Sequence, residues 1–144
     1  MRILVSASLL GLCCRYDGQS KQNEQILALA EKHELIPVCP EQLGGLPTPR
    51  PPAEIRNGRV INNLGQDVTA PYKKGAAETL RLYDLMHCEC ALLKARSPSC
   101  GCETIYDGSF SGRLVSGRGI TAKLLSERQI TVLSEENDWG SLLD

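Results

Sequence analysis

The sequence predicts an α/β fold: a three-layer α/β/α sandwich built on a mainly parallel, Rossmann-like sheet. Short apolar runs recur along the chain at Ile3–Val5, Glu34–Val38, Cys90–Leu93 and Ile130–Leu133, the pattern of strands buried on both faces. Segments with apolar residues at helical spacing separate them, as expected for parallel strands joined by right-handed crossovers. The length of 144 residues, with 42% hydrophobic and 23% charged residues, matches about one domain, so residues 1–144 are expected to form one unit.

Taken in order, Ile3–Val5 opens the sheet and runs into a loop from Ser6 to Gly18. Lys21 to His33 reads as a helix with Ile26, Leu27, Leu29 and Ala30 on one side, and Ser20 as its cap. Glu34–Val38 is the second strand and stops at Cys39-Pro40. Glu41 to Pro52, rich in Gly and Pro, reads as loop. Arg59–Asn62 and Asp67–Thr69 suit the arms of a small hairpin around Gly65. Thr69 can cap a long helix with Pro71 in its first turn, where a missing N–H costs nothing; Ala76, Leu80 and Tyr83 fall on its apolar side. Cys90–Leu93 is the third strand, Ser97–Cys102 a loop, and Asp107–Gly119 a turn-rich passage. Ile120–Arg128 is a short helix, Ile130–Leu133 the fourth strand, and Ser134 the cap of a terminal helix.

Composition excludes several functions. A net charge of −1, from 16 basic and 17 acidic residues, lacks the basic footprint of a nucleic-acid binder. Six aromatic residues (one Trp, four Tyr, one Phe) are few for a base-stacking platform. No stretch approaches the roughly 18 apolar residues of a membrane span, and the Ile3–Leu12 run is broken by Ser6, Ser8 and Gly11 in a way that suits a strand and turn better than a signal segment. A cytoplasmic, reducing setting follows. Seven cysteines cannot all pair within the chain.

The parallel topology decides where those cysteines go. Loops that follow the first three strands emerge at the carboxyl edge of the sheet, where ligands of such folds bind. They carry Ser8 with Cys13-Cys14, then Cys39, then Cys100 and Cys102. Cys88 and Cys90 are two apart and read as packing thiols on one buried surface. Cys39 and Cys100, placed among Pro and Gly at strand ends, are candidate soft ligands for zinc, copper(I) or an iron–sulfur cluster. Glu41 is either a general acid/base beside such a metal or a solvated loop carboxylate. Ser97 and Ser99 are either oxyanion donors or turn residues. Arg50, on a stiff Pro-flanked segment, is either a substrate clamp or a surface charge. Gly117 and Gly119 open the Ile120 helix, where backbone N–H groups can take an anion. His33 and His87 fall on the opposite side of the sheet, which argues against a Cys-His nucleophile pair.

Seven segments together, Ser6–Gly11, Cys14–Gly18, Val38–Glu41, Thr48–Ile55, Ser97–Gly101, Ile105–Gly108 and Gly117–Ala122, resemble the DUF523 family in order and spacing over nearly the whole chain. That family includes thiouracil desulfidases, which remove sulfur from thiolated pyrimidine bases hydrolytically and hold a [4Fe-4S] cluster on three cysteines. The resemblance implies that Cys39 and Cys100 are cluster ligands, that Glu41 transfers protons, and that the Ser97/Ser99 loop assists. It places the third ligand at Ser8, where family members carry cysteine. A hard oxygen suits iron–sulfur iron poorly, which leaves three alternatives: a serine substituted for the native cysteine, a natural member that has lost its cluster, or rescue by Cys14, which in the family pattern belongs to the Cys14–Gly18 element and is not one of the three ligands. Three expectations follow: a non-redox enzyme hydrolysing the C=S bond of a small thiolated substrate, a cluster-free small-ligand-binding protein, or a zinc module using the same loops.

Overall fold

A computed structural model describes residues 1–139. In chain order its elements are β1 (Arg2–Ser6), α1 (Glu24–Leu27), β2 (Glu34–Val38), α2 (Pro40–Leu43), β3 (Ala53–Arg56), β4 (Arg59–Asn62), α3 (Thr69–Leu85), β5 (Cys90–Leu93), β6 (Thr104–Tyr106), β7 (Leu114–Ser116), α4 (Ile120–Glu127) and β8 (Val132–Ser134), with single 3-10 turns at Ala7–Leu10 and Ala28–Glu31. The central sheet runs β2-β1-β5-β8 and every pairing in it is parallel. From β1 the order goes outward in both directions, so β1 and β5 flank the point where such folds open a crevice at their carboxyl ends.

Alternation along the strands divides the core in two. Leu4, Ala91 and Leu93 pack with Tyr83 and Leu125 under α3 and α4. Ile3, Val5 and Leu92 pack with Leu9 and Ile26 under the first 3-10 turn and α1. The α/β/α sandwich is therefore as expected, with one thin outer layer.

Several local expectations fail for identifiable reasons. The helix expected over 21–33 is a four-residue helix and a 3-10 turn; its cap is Asn23, whose Oδ1 accepts the Ile26 N–H at 3.1 Å, rather than Ser20. The expected loop after Cys39 begins with α2, since Pro40 supplies a helix-ready φ at its first position. The hairpin is β3–β4, turning at Asn57-Gly58, both at positive φ; Asp67 adds only an isolated bridge to Ile61. Thr69 opens α3 but does not cap it: its Oγ1 accepts the Val60 N–H at 2.8 Å, and Asp67 accepts the Thr69 N–H at 2.9 Å. The turn-rich passage contains β7, paired antiparallel with β6. Cys88 and Cys90 face opposite layers, because the strand begins at Cys90 and its alternation does not reach back to Cys88. After β8 the described residues form a turn in which Ser134 Oγ accepts the Glu136 N–H; the rest of the expected terminal helix lies outside the described residues.

Two glycines fix the placement of α2. A Cβ on Gly75 of α3 would stand 2.0 Å from the Pro40 carbonyl oxygen, and one on Gly44 would stand 2.0 Å from the Pro71 carbonyl oxygen. The short helix that follows Cys39 therefore rests backbone to backbone on α3.

Candidate functional site

The carboxyl ends of β1, β2 and β5 open into a cavity of about 600 Å3, a size that suits a small-molecule ligand. Ser8, Cys14, Cys39, Glu41, Arg50, Ser97 and Cys100 all line it. Ser99, Gly117 and Gly119 are not among its lining residues.

Cys39 sits at the junction of β2 and α2. Its Sγ lies 3.7 Å from the Cys14 carbonyl oxygen. A hydrogen bond from the Cys14 thiol is the main influence that brings the Cys39 thiol down to about 7, helped by the Gln42 N–H and Arg50 and opposed by burial. The same shared proton, with burial, pushes the Cys14 thiol up. Cys100 is 3% exposed, and burial, followed by the nearby Glu41 carboxylate, pushes its thiol up. Such a thiol stays protonated unless a cation takes the proton's place.

Arg50 is buried, and both terminal nitrogens of its guanidinium are engaged by the protein. Nη2 donates to Glu41 Oε2 at 3.0 Å and to the Cys14 carbonyl at 3.1 Å; Nη1 donates to the Pro47 carbonyl at 3.2 Å and to Thr48 Oγ1 at 3.1 Å. The expected substrate clamp is thus a strut, which fixes the Glu41 carboxylate and the Cys14 peptide in one plane of donors.

The Ser97–Cys100 loop is built the same way. Ser97 Oγ accepts the N–H groups of Ser99 and Cys100, each at 3.1 Å. Ser99 Oγ is 2.8 Å from Thr121 Oγ1 and is 1% exposed, so it holds the loop to α4 and does not face the cavity. The first N–H groups of α4 are satisfied internally: Ile120 donates to the Pro98 carbonyl at 2.9 Å, and Thr121 to the Ser99 carbonyl at 2.8 Å. Gly119 allows this contact, since a Cβ there would be 2.4 Å from the Ser99 carbonyl carbon. Of the two glycines expected to bind an anion, Gly119 instead lets a helix dock, and the Gly117 N–H is taken by the Glu103 carbonyl at 3.0 Å.

The local sequence did not reveal the aromatic wall of the cavity. Tyr16, Tyr72, Tyr106 and Phe110 line it, four of the six aromatic side chains in the chain. Phe110 is held at positive φ by β3: Glu54 Oε1 accepts the Gly108 and Phe110 N–H groups at 3.0 and 3.1 Å, and Arg56 donates to the Gly108 carbonyl. Asn57-Gly58 was the signal that could have revealed the first hairpin. Nothing in the local sequence links it to Phe110.

A family model described as 2-thiouracil desulfurase matches residues 3–137. This chain belongs to the 2-thiouracil desulfurase family. It is 41% identical to the protein YbbK of Bacillus subtilis (strain 168), over 98% of this chain and 99% of that protein. Among solved structures it is similar to TudS (DUF523Vcz), described as a [4Fe-4S]-dependent thiouracil desulfidase, with 45% identity, a TM-score of 0.90, and coverage of 99% of this chain and 94% of that one.

Two tests bear on whether this member's residues fit an iron–sulfur cluster. Among the described residues no three His, Cys, Asp or Glu side chains stand together as a single metal ion would need, which counts against the zinc module expected from Cys14, Cys39 and Cys100. A cubane is a different demand: each protein ligand meets its own iron, so the thiolates stand apart around the group. Cys39 after β2 and Cys100 in the loop after β5 reach one cavity from separate strands, beside a carboxylate and aromatic surface, which fits that demand. No helix among the described residues is long and apolar enough to cross a membrane.

Proposed function

We propose that this chain hydrolyses the C=S bond of a small thiolated heterocycle, a thiopyrimidine base such as thiouracil, in a [4Fe-4S]-dependent and non-redox reaction. The observation that carries the reading is the convergence of Cys39, Cys100 and Glu41 on one cavity with four aromatic side chains at its wall. Cys39 and Cys100 would hold the cluster, which when bound supplies a soft Lewis acid for the substrate's sulfur. The aromatic surface supplies flat apolar walls for the heterocycle. Glu41, whose carboxylate is oriented by Arg50 at 3.0 Å, takes a proton from water as the water's oxygen attacks the ring carbon. The same carboxyl returns that proton to the departing sulfur, then takes the hydroxyl's remaining proton as the carbonyl forms and passes it to the sulfide. The thiocarbonyl and one water become a carbonyl and one hydrogen sulfide, with no change in oxidation state and no external reductant. Ser97 holds the Cys100 N–H and Ser99 docks the loop, so both act by positioning. Seven free thiols suit a reducing, cytoplasmic setting.

The test is anaerobic incubation of reconstituted protein with 2-thiouracil, following uracil and sulfide together. One sulfide per uracil, without added reductant, is expected. Glu41→Gln, which leaves Arg50 an oxygen acceptor, should lower turnover by about 10²–10⁴-fold with the cluster intact. Cluster-loaded protein that releases neither product from 2- or 4-thiouracil overturns the reading, as would unchanged turnover in Glu41→Gln.

A further inference from the structure

Of the seven cysteines, Cys14, Cys39 and Cys100 line the cavity, while Cys13, Cys88, Cys90 and Cys102 do not. A cluster that accepts substrate sulfur must leave one iron open, which leaves three to be held by the protein. Resting on the desulfidase reading, we infer that Cys14 supplies the third thiolate, so that Cys14, Cys39 and Cys100 hold the cluster and Ser8 is dispensable to it.

Cys14 is well placed for this. It is 7% exposed, and its own carbonyl oxygen is fixed by Arg50 Nη2 at 3.1 Å. The next turn is fastened as well: the Arg50 N–H donates to the Tyr16 carbonyl at 2.8 Å, and the Arg15 N–H donates to the Gln19 carbonyl at 3.2 Å. The peptide that carries Cys14 is therefore anchored to the segment that fixes Glu41. The Cys39 sulfur lies 3.7 Å from that same Cys14 carbonyl oxygen, and both cysteines line the one cavity. Each of the two cysteines would give up its thiol proton on holding an iron of its own. Cys13, the neighbouring residue, is exposed, so the backbone turn selects one cysteine of the pair for the interior.

Ser8 contributes differently. Its carbonyl oxygen accepts the Gly11 N–H at 3.3 Å and the Lys21 N–H at 2.9 Å, so its peptide is a structural corner of the first turn. Its hydroxyl offers a hard, weakly acidic oxygen to iron that prefers sulfur. With a buried thiol available on the same wall, the softer donor wins.

The experiment compares the parent chain, Ser8→Ala, Cys14→Ser and the double variant Ser8→Cys/Cys14→Ser, each reconstituted anaerobically with iron and sulfide. Iron, acid-labile sulfide and the visible sulfide-to-iron absorption are read per folded chain. The parent and Ser8→Ala should hold a full cluster, and Cys14→Ser should lose it at least tenfold. The double variant should recover it, which also shows that loss of Cys14 spares the fold. A full cluster in Cys14→Ser, loss in Ser8→Ala, or a parent chain that takes up none would each overturn the assignment. Should Cys14→Ser fail to fold, Ser8→Ala decides alone, retention supporting the assignment and loss overturning it. These readouts need no turnover, so a loaded chain that leaves thiouracil untouched would refute the proposed function and leave the ligand assignment standing.

Discussion

Replacing Gly75 by alanine sets two opposed effects against each other. Alanine is the better helix former, by about 0.8–1 kcal/mol in a helix interior. Its Cβ, however, would stand 2.0 Å from the Pro40 carbonyl oxygen and 2.8 Å from its carbon. Overpacking of this kind costs typically about 1–3 kcal/mol, and here the neighbour is backbone, which cannot swing aside as a long side chain would. The clash therefore belongs at the upper end and outweighs propensity, leaving a net loss of about 1–2 kcal/mol. For a chain of this size that corresponds to a fall in Tm of roughly 3–8 °C.

The relief of the clash matters as much as its cost. To accommodate the methyl group α2 must move off α3, and Cys39 and Glu41 travel with it. Thermal unfolding of cluster-free Gly75→Ala, followed by circular dichroism, should show the lower Tm, and the Cys39 thiol should alkylate at a changed rate. Gly44→Ala strains the same interface from the other side, with its Cβ 2.0 Å from the Pro71 carbonyl oxygen. The double variant should cost less than the two singles together, because one displacement relieves both. A Gly75→Ala protein that melts at or above the parent, with Cys39 reactivity unchanged, refutes the argument that this contact places the site.

Arg50→Ala should destabilise the cluster-free protein by about 3–5 kcal/mol in denaturant titration, since it leaves the part-buried Glu41 carboxylate and the Cys14 carbonyl without their donor; a loss below about 1 kcal/mol would mean that the pair is solvated. In cluster-free Cys13→Ser protein, alkylation of Cys39 by iodoacetamide should rise through a midpoint near pH 7. The thiolate is the reactive form, so the rate falls below that pH and levels off above it, while Cys100 lags; a midpoint at the ordinary 9.0 would contradict the shared proton with Cys14. Phe110→Ala should raise KM for the thiolated base about threefold to tenfold with kcat nearly unchanged, as expected for a ring that binds ground and transition states alike. A fall in kcat instead would place that ring in the chemistry.

What the sequence revealed and what it hid follow from the range of the interactions involved. Ile3–Val5 and Cys90–Leu93 are apolar throughout and buried on both faces, so their pattern is local and their role was plain. Once the strands are parallel, topology alone sends Ser8, Cys39 and Cys100 to one edge. The role of Arg50 was not legible, because its acceptors at residues 14, 41, 47 and 48 come together only in the folded chain. Ser99 and Gly119 were misassigned for a related reason: a serine that docks on Thr121 and a glycine that lets α4 approach look, in sequence, like any loop serine and any glycine before a helix. Burial, not residue type, separates the two roles.

The missed hairpins suggest how labour is divided in this fold. Cys39 and Cys100 emerge directly from β2 and β5, whose positions are fixed by the main core. Tyr106 and Phe110 belong to β6 and the loop after it, held to β3 mainly by Glu54 and Arg56. Those hydrogen bonds cross no major core layer, and Leu114 and Val115 of β7 remain exposed. Changes in the 107–113 loop can therefore reshape the wall against which a substrate ring lies without disturbing the strands that carry the thiols. A scaffold of this kind can alter which thiolated ring it accepts while keeping the same sulfur-binding chemistry, because the two tasks rest on different hydrogen-bond networks.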